Sequence, residues 1–280
     1  MENTYNTLTE IESLFVGHEY VPEQRKIVDG QARYVTWDLS SLPHDCLEIL
    51  QITDIQFGHK QCQEDKLHEY LAWVLAEENR YILLGGDLVD AGHKTSKGSP
   101  FEQIGDPQTE VWRLCKILAP VRHRILGYVG GNHERRSIDQ FGDLGRGIAL
   151  ILRLPYSPGN QWLDVHFGEH KPFKISMHHG NGGGQTLGSI TTNLERFTFK
   201  GDSQWYLLGH LHVPVTILKA RESRDGQGDI RITKVIGSRG SSFLGYYGTY
   251  AEAIMNSSPQ LIAMPLARLE RNGHWSVELR

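Results

Sequence analysis

Five segments of this chain end in side chains that donate oxygen or imidazole nitrogen. They are ITDIQ with Asp54 and Gln56, GGDLVD with Asp87 and Asp90, GGNHE with Asn132 and His133, MHHG with His178 and His179, and GHLH with His210 and His212. None of these ends carries a cysteine. Oxygen and imidazole without thiolate suit Mn, Zn, Fe or Ni rather than a soft metal. Histidine is plentiful, with 14 in 280 residues, and it is the commonest imidazole donor and proton carrier near neutral pH. His210 and His212 are two apart, so on an extended segment they share a face and reach two neighbouring ions. Gly86, Gly131 and Gly209 stand directly before donor positions, where a bare backbone turns sharply and approaches an ion closely. The chemistry open to such a set is metal-assisted hydrolysis, in which a bound ion acidifies a water. There is no GxSxG elbow, and no cysteine adjoins a motif histidine, so a protein nucleophile is not expected.

Each donor segment closes an apolar run. Cys46 to Asp54, Tyr81 to Asp87 and Ile125 to Asn132 read as strands. Between them, residues 64 to 79 carry Leu67, Tyr70, Leu71, Val74 and Leu75 at helical spacing. Asp106-Pro107 opens a second helix as N-cap and N1, with Val111, Leu114, Cys115 and Leu118 on one face. Strand and helix in alternation predict a mainly parallel sheet, whose ligands bind beyond the carboxyl ends of its strands. After residue 160 the pattern is mostly strands, with one helix near Leu187 to Phe197, a turn at Arg224 to Asp229 and a terminal hairpin. The expected fold is α/β: a two-sheet sandwich core flanked by helices. It forms a single domain over 1–280, with an N-terminal arm at 1–45 and C-terminal strands at 213–280 completing the second sheet.

Composition removes other classes. The polar, acidic start MENTYNTLTEIES has neither the basic nor the apolar region of a signal peptide. The longest apolar stretch, Ile148 to Leu152, is far below the ~18 residues of a membrane span. Three cysteines without CxxC spacing fit a reducing, cytoplasmic setting rather than a disulfide scaffold. A net charge of −4 gives no global field for nucleic acid, though a local basic groove stays open.

Taken in order, D-x-Q, GDxxD, GNHE, HHG and GHLH resemble the calcineurin-like metallophosphoesterase superfamily, over Asp54 to His212. One motif alone is weak; five in order, each closing a strand-like run, are specific. The resemblance implies an α/β/β/α fold and two divalent ions, Mn favoured over Zn, Fe, Ni or Mg. Asp54, Gln56, Asp87 and His212 would bind one ion. Asp87 as bridge, Asn132, His178 or His179, and His210 would bind the other. His178 and His179 point apart on an extended segment, so one ligates, with a slight lean to His179. His133 matches the residue that contacts the scissile phosphate and helps protonate the leaving group, and Asp90 matches a position that orients it. A hydroxide between the ions would attack phosphorus in line. The family's common first motif is Asp-x-His. Gln56 replaces that imidazole with a harder, neutral oxygen, which favours Mn or Mg and loosens the first ion.

Around the motifs, Arg135, His93 and Asn132 are candidate substrate contacts, with His59 and Arg136 nearby. The polar stretch from Ala91 to Gly105 reads equally as a covering loop or an inert one. Asn181 to Ser189, NGGGQTLGS, offers backbone N–H groups able to nest a phosphate, although such segments are more often plain turns. Gly237 to Tyr250 is rich in Ser, Gly and Tyr, and with Arg239 has the chemistry to read a nucleotide. The expected function is hydrolysis of phosphate esters, with diesters favoured over monoesters. Its alternatives are an exonuclease acting on DNA or RNA, for which Lys94, Lys97, Arg135, Arg136 and Arg239 supply charge, and a non-catalytic scaffold. Expected partners are a phosphate ester, nucleotide or nucleic acid, and no membrane.

Overall fold

The computed structural model describes residues 25–27, 32–92, 100–136, 138–184, 186–224, 228–249, 252 and 259–280. Strand β3 (Cys46–Ile52) shows how the sequence builds the layers. Leu47 and Ile49 point to one side of it and Leu50 and Ile52 to the other, and all four are fully buried. A strand covered on both faces reads as a continuous apolar run rather than an alternating one. β4 (Arg80–Leu84) repeats this, with Tyr81 and Leu83 on one face and Ile82 and Leu84 on the other.

β3, β4, β5 (Ile125–Val129) and the short β6 (Tyr156–Ser157) run parallel. β12 (Pro265–Glu270) and β13 (Trp275–Leu279) add antiparallel strands to give a six-stranded sheet, ordered β13-β12-β3-β4-β5-β6. Helices α1 (Glu64–Leu75), α2 (Pro107–Leu118) and α5 (Leu144–Leu152) cover its outer face through Leu67, Leu71, Leu114, Leu118, Ile148 and Leu152. Asp106 caps α2 as expected, its carboxylate accepting from Gln108 N and Thr109 N at 2.9 and 3.0 Å.

The second sheet has seven strands, ordered β1-β2-β7-β8-β9-β11-β10. They are β1 (Arg25–Ile27), β2 (Tyr34–Asp38), β7 (Gln161–His166), β8 (Phe173–Met177), β9 (Trp205–Leu208), β10 (Val215–Arg224) and β11 (Ile230–Arg239). The two sheets pack face to face through Leu47, Ile49, Leu83, Leu163, Ile175 and Trp205. Helix α6 (Leu187–Thr198) lies on the outer face, with Leu194 and Phe197 against Tyr206 and Leu208. The architecture is helices, sheet, sheet, helix. Each fully buried Leu or Ile contributes about 1.5–3 kcal/mol to holding the layers together.

Three features differ from the sequence reading. The segment treated as an arm supplies β2, whose Val35 and Trp37 are buried in the inter-sheet core, with Trp37 Nε1 donating to Leu126 O at 2.9 Å. The strands after 213 do not all join one sheet: β10 and β11 extend the seven-stranded sheet, while β12 and β13 extend the six-stranded one. Between β5 and β6, where the sequence predicts no element, lie α3 (Asn132–Arg136), α4 (Ile138–Phe141) and α5. The first two are single turns, too short for periodicity to register. β10 and β11 pair antiparallel, and of the turn expected at 224–229 residues 225–227 lie outside the described residues.

Candidate functional site

Parallel pairing places the carboxyl ends of β3, β4 and β5 along one edge, and β8 and β9 bring theirs from the facing sheet. The segments leaving these strands hold one another. Asp54 N donates to Gly86 O at 2.9 Å, Gln56 N to Asp87 O at 3.0 Å, and Gly209 N to His179 O at 2.8 Å. Between the sheets, Gln51 Nε2 donates to Leu208 O at 3.0 Å. Asp54, Gln56, Asp87, His210 and His212 all have φ between 50° and 76°. Non-glycine residues avoid this left-handed region, and strain of about 1–3 kcal/mol per residue collects where function requires it. Thus His210 and His212 do not sit on an extended segment as the sequence suggested; β9 stops at Leu208 and the chain turns at each histidine. Gly131 packs so tightly that a Cβ there would lie 2.0 Å from Asp87 Oδ1.

Two donor groups result. In the first, Asp87, His179 and His210 offer ligand atoms all within 4.8 Å of one another. His179 Nε2 lies 3.0 Å from Asp87 Oδ2 and 3.1 Å from Asn132 Oδ1. His179 Nδ1 donates to Gly85 O at 2.9 Å, which fixes the ring with its Nε2 directed at the cluster. In the second, His212 Nε2 lies 3.2 Å from Asp54 Oδ1 and 3.0 Å from Gln56 Nε2. The Oε1 of Gln56 is buried with no hydrogen-bond partner. An unpaired buried acceptor costs about 1–3 kcal/mol, which a coordinated cation removes. Carboxylate, amide and imidazole donors crowded in this way, one with an orphan oxygen, fit divalent cations. The two groups are joined by His210 N, which donates to both Asp54 oxygens at 3.1 and 3.0 Å.

The carboxylates are ionised in this setting. Burial alone would raise Asp87, but the His133 and His179 rings and the His133 N–H, 2.8 Å from Oδ1, hold it well below the usual carboxylate range. Asp54 is likewise lowered: the His179 and His212 imidazoles outweigh burial. His179 is pushed up to about 10, because Asp87 and Asp54 outweigh the burial that lowers it.

His133 sits beside these groups. Its Nδ1 is 2.8 Å from Asp90 Oδ1 and its Nε2 is 3.7 Å from Asp87 Oδ2. Burial opposes its protonation, yet Asp87 and Asp90 raise its pKa. Asp90 is in turn held by Gln103 Nε2 at 2.6 Å and Arg136 Nη2 at 3.2 Å. Burial raises its carboxyl, but the hydrogen bond from His133 and the charges of His133 and Arg136 bring it to about 2.

The remaining sequence candidates fall in varied places. His178 is not brought to the donor groups: it is half-buried against Phe197 with ring centroids 6.2 Å apart, and Gly180 N donates to its Nδ1 at 2.8 Å. Burial and the His179 charge lower it to about 4. The two neighbours point to opposite sides, as alternation on a strand end requires. Arg135 is exposed, with Nε 3.4 Å from Gly131 O. Arg136 turns inward to Asp90. Arg239 is fully buried, not on the rim; it donates to Gly209 O and, at 2.8 Å, to Asn193 Oδ1. His59 is buried, with Nε2 3.6 Å from Glu102 Oε2. His93, Lys94 and Lys97 lie outside the described residues.

Sequence reading passed over Glu134, the last letter of GNHE. It is fully buried and accepts from Asp87 N, Leu88 N and Gly131 N at 3.1, 2.6 and 3.0 Å, fixing the turn that carries Asp87. It also passed over Gln103 and over Thr53, whose Oγ1 donates to Asp54 Oδ2 at 2.6 Å. Glu134 was signalled by its place in a motif; Gln103 had no local signal, because its contact with Asp90 spans a loop.

The chain belongs to the calcineurin-like phosphoesterase family, whose model matches residues 47–214. It is a phosphoric ester hydrolase of the metal-dependent kind, and the Asp87, His179 and His210 cluster fits a metal ion. No curated protein matches the chain. Among solved structures it is similar to a metallophosphoesterase from Sphaerobacter thermophilus at 14% identity, covering 84% of this chain and 88% of that one with a TM-score of 0.41. A conserved uncharacterised protein from Streptococcus pneumoniae, described as a predicted phosphoesterase, is also 14% identical. That match covers 85% of this chain and 99% of the other, with a TM-score of 0.35. A protein serine/threonine phosphatase from Saccharomyces cerevisiae is 12% identical over 98% of this chain and 87% of its own, with a TM-score of 0.40. No described helix is long and apolar enough to cross a membrane.

Proposed function

We propose that this chain, as one domain, is a dinuclear phosphoesterase that prefers phosphodiesters. Asp54, Gln56, Asp87 and His212 hold one divalent ion; Asp87, Asn132, His179 and His210 hold the other. The observation that carries this reading is the pair of donor groups, each with a carboxylate and an imidazole, tied by His210 N on the Asp54 carboxylate. Manganese is the favoured metal, because the Gln56 oxygen is harder than imidazole. When bound, two ions neutralise the phosphoryl oxygens and acidify the attacking water.

The protein's own groups do the rest. Asp90, fixed by Gln103 and Arg136, orients His133 and keeps its ring protonated. His133 Nε2 then faces the cluster, where it contacts the scissile phosphate and delivers a proton to the departing alkoxide or phenolate. A poor leaving group needs that proton most, which favours diesters. Asn132, beside it at the start of α3, and exposed Arg135 supply further contacts to phosphoryl oxygens. Arg135 also favours the narrower reading of a nucleotide or nucleic-acid substrate. The three cysteines are free, which supports a reducing, cytoplasmic setting.

The test is hydrolysis of bis(p-nitrophenyl) phosphate, p-nitrophenyl phosphate and single- and double-stranded DNA with Mn, Mg, Zn or Ni. Metal-dependent turnover with the aryl diester above the monoester is expected. No hydrolysis under any metal would turn the reading to a non-catalytic scaffold.

A further inference from the structure

A cavity of about 330 Å³ opens between the glycine-rich segment after β8 and one face of α6. That volume falls at the low end of ligand pockets, which run from about 300 to 1,000 Å³. Its polar walls are Asn181, Ser189, Thr192, Asn193 and Arg196, and Leu211 closes the side toward the site. Ser189, Thr192, Asn193 and Arg196 recur at three- and four-residue spacing, so a single stripe of the helix faces the opening. The cavity adjoins the donor groups: Gly182 is part of its wall, and Gly182 O lies 3.0 Å from His210 Nε2. Leu211 stands between His210 and His212.

The electrostatics of this wall are one-sided. Among the described residues no carboxylate lines the cavity, and none pairs with the exposed Arg196 guanidinium. The neighbouring Glu195 is already engaged, with Oε1 2.7 Å from Lys219 Nζ. Asn193 is held from behind by buried Arg239, which also grips Gly209 O just ahead of His210. One guanidinium thus links the cavity wall to the segment that carries two candidate ligands. The Ser189 and Thr192 hydroxyls donate to Thr186 O and Gly188 O, each at 2.8 Å, so the Arg196 guanidinium sets the preference: an uncompensated guanidinium with no acid beside it selects an anionic group that accepts hydrogen bonds.

We propose that this cavity binds a second phosphate of the substrate, distinct from the one hydrolysed, with Arg196 as its counter-charge. The inference rests on the phosphoesterase reading above and deepens it: the preferred substrates carry two phosphates, one over the donor groups and one in the cavity. The second phosphate belongs either to a nucleic-acid strand or to an anhydride such as a nucleoside diphosphate.

The experiment compares His133→Ala with His133→Ala/Arg196→Gln in manganese-supplemented buffer. Calorimetric titration is run with 5′-phosphorylated dithymidylate, unphosphorylated dithymidylate and thymidine 5′-diphosphate. Parallel kinetics on bis(p-nitrophenyl) phosphate use the chain with its native His133, with and without Arg196→Gln. Arg196 is exposed, so its loss leaves the core intact. The expected result is about a tenfold weaker Kd for the substrates with a second phosphate, the size of one charge-assisted hydrogen bond, and less than about a twofold change for unphosphorylated dithymidylate. The larger loss between the dinucleotide and the diphosphate tells which source the cavity accepts. Equal Kd values with and without Arg196 would overturn the proposal. Hydrolysis of the aryl diester with binding indifferent to Arg196 removes the cavity and keeps the reaction. Arg196-dependent binding without hydrolysis of any ester removes the reaction and keeps the cavity.

Discussion

The two halves of the donor site are built differently. Around Asp87, two imidazoles and a carboxylate converge within 4.8 Å; Asp87 and His179 are almost fully buried, and a Glu134 clamp holds the turn beneath. Around Asp54, which is equally buried, the neutral amide of Gln56 stands where the other half has an imidazole, and His212, like His210, is half-buried. Affinity for first-row divalent ions follows donor charge, softness and preorganisation. On the proposed two-ion assignment, the Asp87 half would be the tighter ion site and the Asp54 half would fill second. The difference rests on one side chain and not on the scaffold: the backbone at Gln56 adopts the same left-handed turn as that at Asp54 and Asp87.

The largest effect expected from attacking this contrast is at the shared residue. If Asp87 bridges as proposed, Asp87→Asn removes charge from both halves at once, and kcat/KM for an aryl diester should fall by at least about 10³-fold, since several kcal/mol of charge stabilisation are lost. A fall confined to tenfold would mean that Asp87 is not shared. Next comes His133→Ala, which should lower kcat by about 10²–10⁴-fold while the chain retains its metals. Loss of metal in that variant, measured by atomic emission, would recast His133 as a ligand. Gln56→His should narrow the contrast, tightening the second ion by about tenfold, within the ~10–100-fold range of single changes around a bound metal. Unchanged affinity would show that Gln56 does not set it.

The smallest effect lies behind the site. Glu110 is buried beneath Ala91, whose N–H its Oε2 accepts at 2.8 Å, and burial, with Asp90 nearby, pushes its pKa up to about 8. In the unfolded chain it titrates near 4.5. The folded state thus keeps a proton that the unfolded state has lost, so this contribution to stability is complete below about 4.5 and declines as pH rises toward about 8. Glu110→Gln carries no such titration. The melting temperature of the variant, relative to the native chain, should climb between pH 5 and pH 8. A constant difference across that range would contradict the assignment.

Much of this was legible in the sequence because the informative residues close apolar runs. Asp54, Asp87, Asn132 and His210 each sit at or just past a strand end, and parallel pairing gathers strand ends at one edge. The capping of α2 by Asp106 was legible because it is local. What escaped was non-local or conformational. Neighbouring His178 and His179 are chemically alike, and only the facing strand shows which meets Asp87. Arg239 read as a rim group but is buried, because β11 pairs with β9 and carries it behind the ligand segment. The left-handed turns at the two GHLH histidines were not legible, because few non-glycine residues adopt that region and nothing in the local sequence marks which do.

The central claim is most directly tested by titrating the metal-free chain with manganese, counting bound ions while following hydrolysis of an aryl diester. Two ions per chain are expected, binding in two steps of unequal affinity, with turnover rising as the second site fills. Full activity with a single bound ion, or no specific binding at all, would contradict the account.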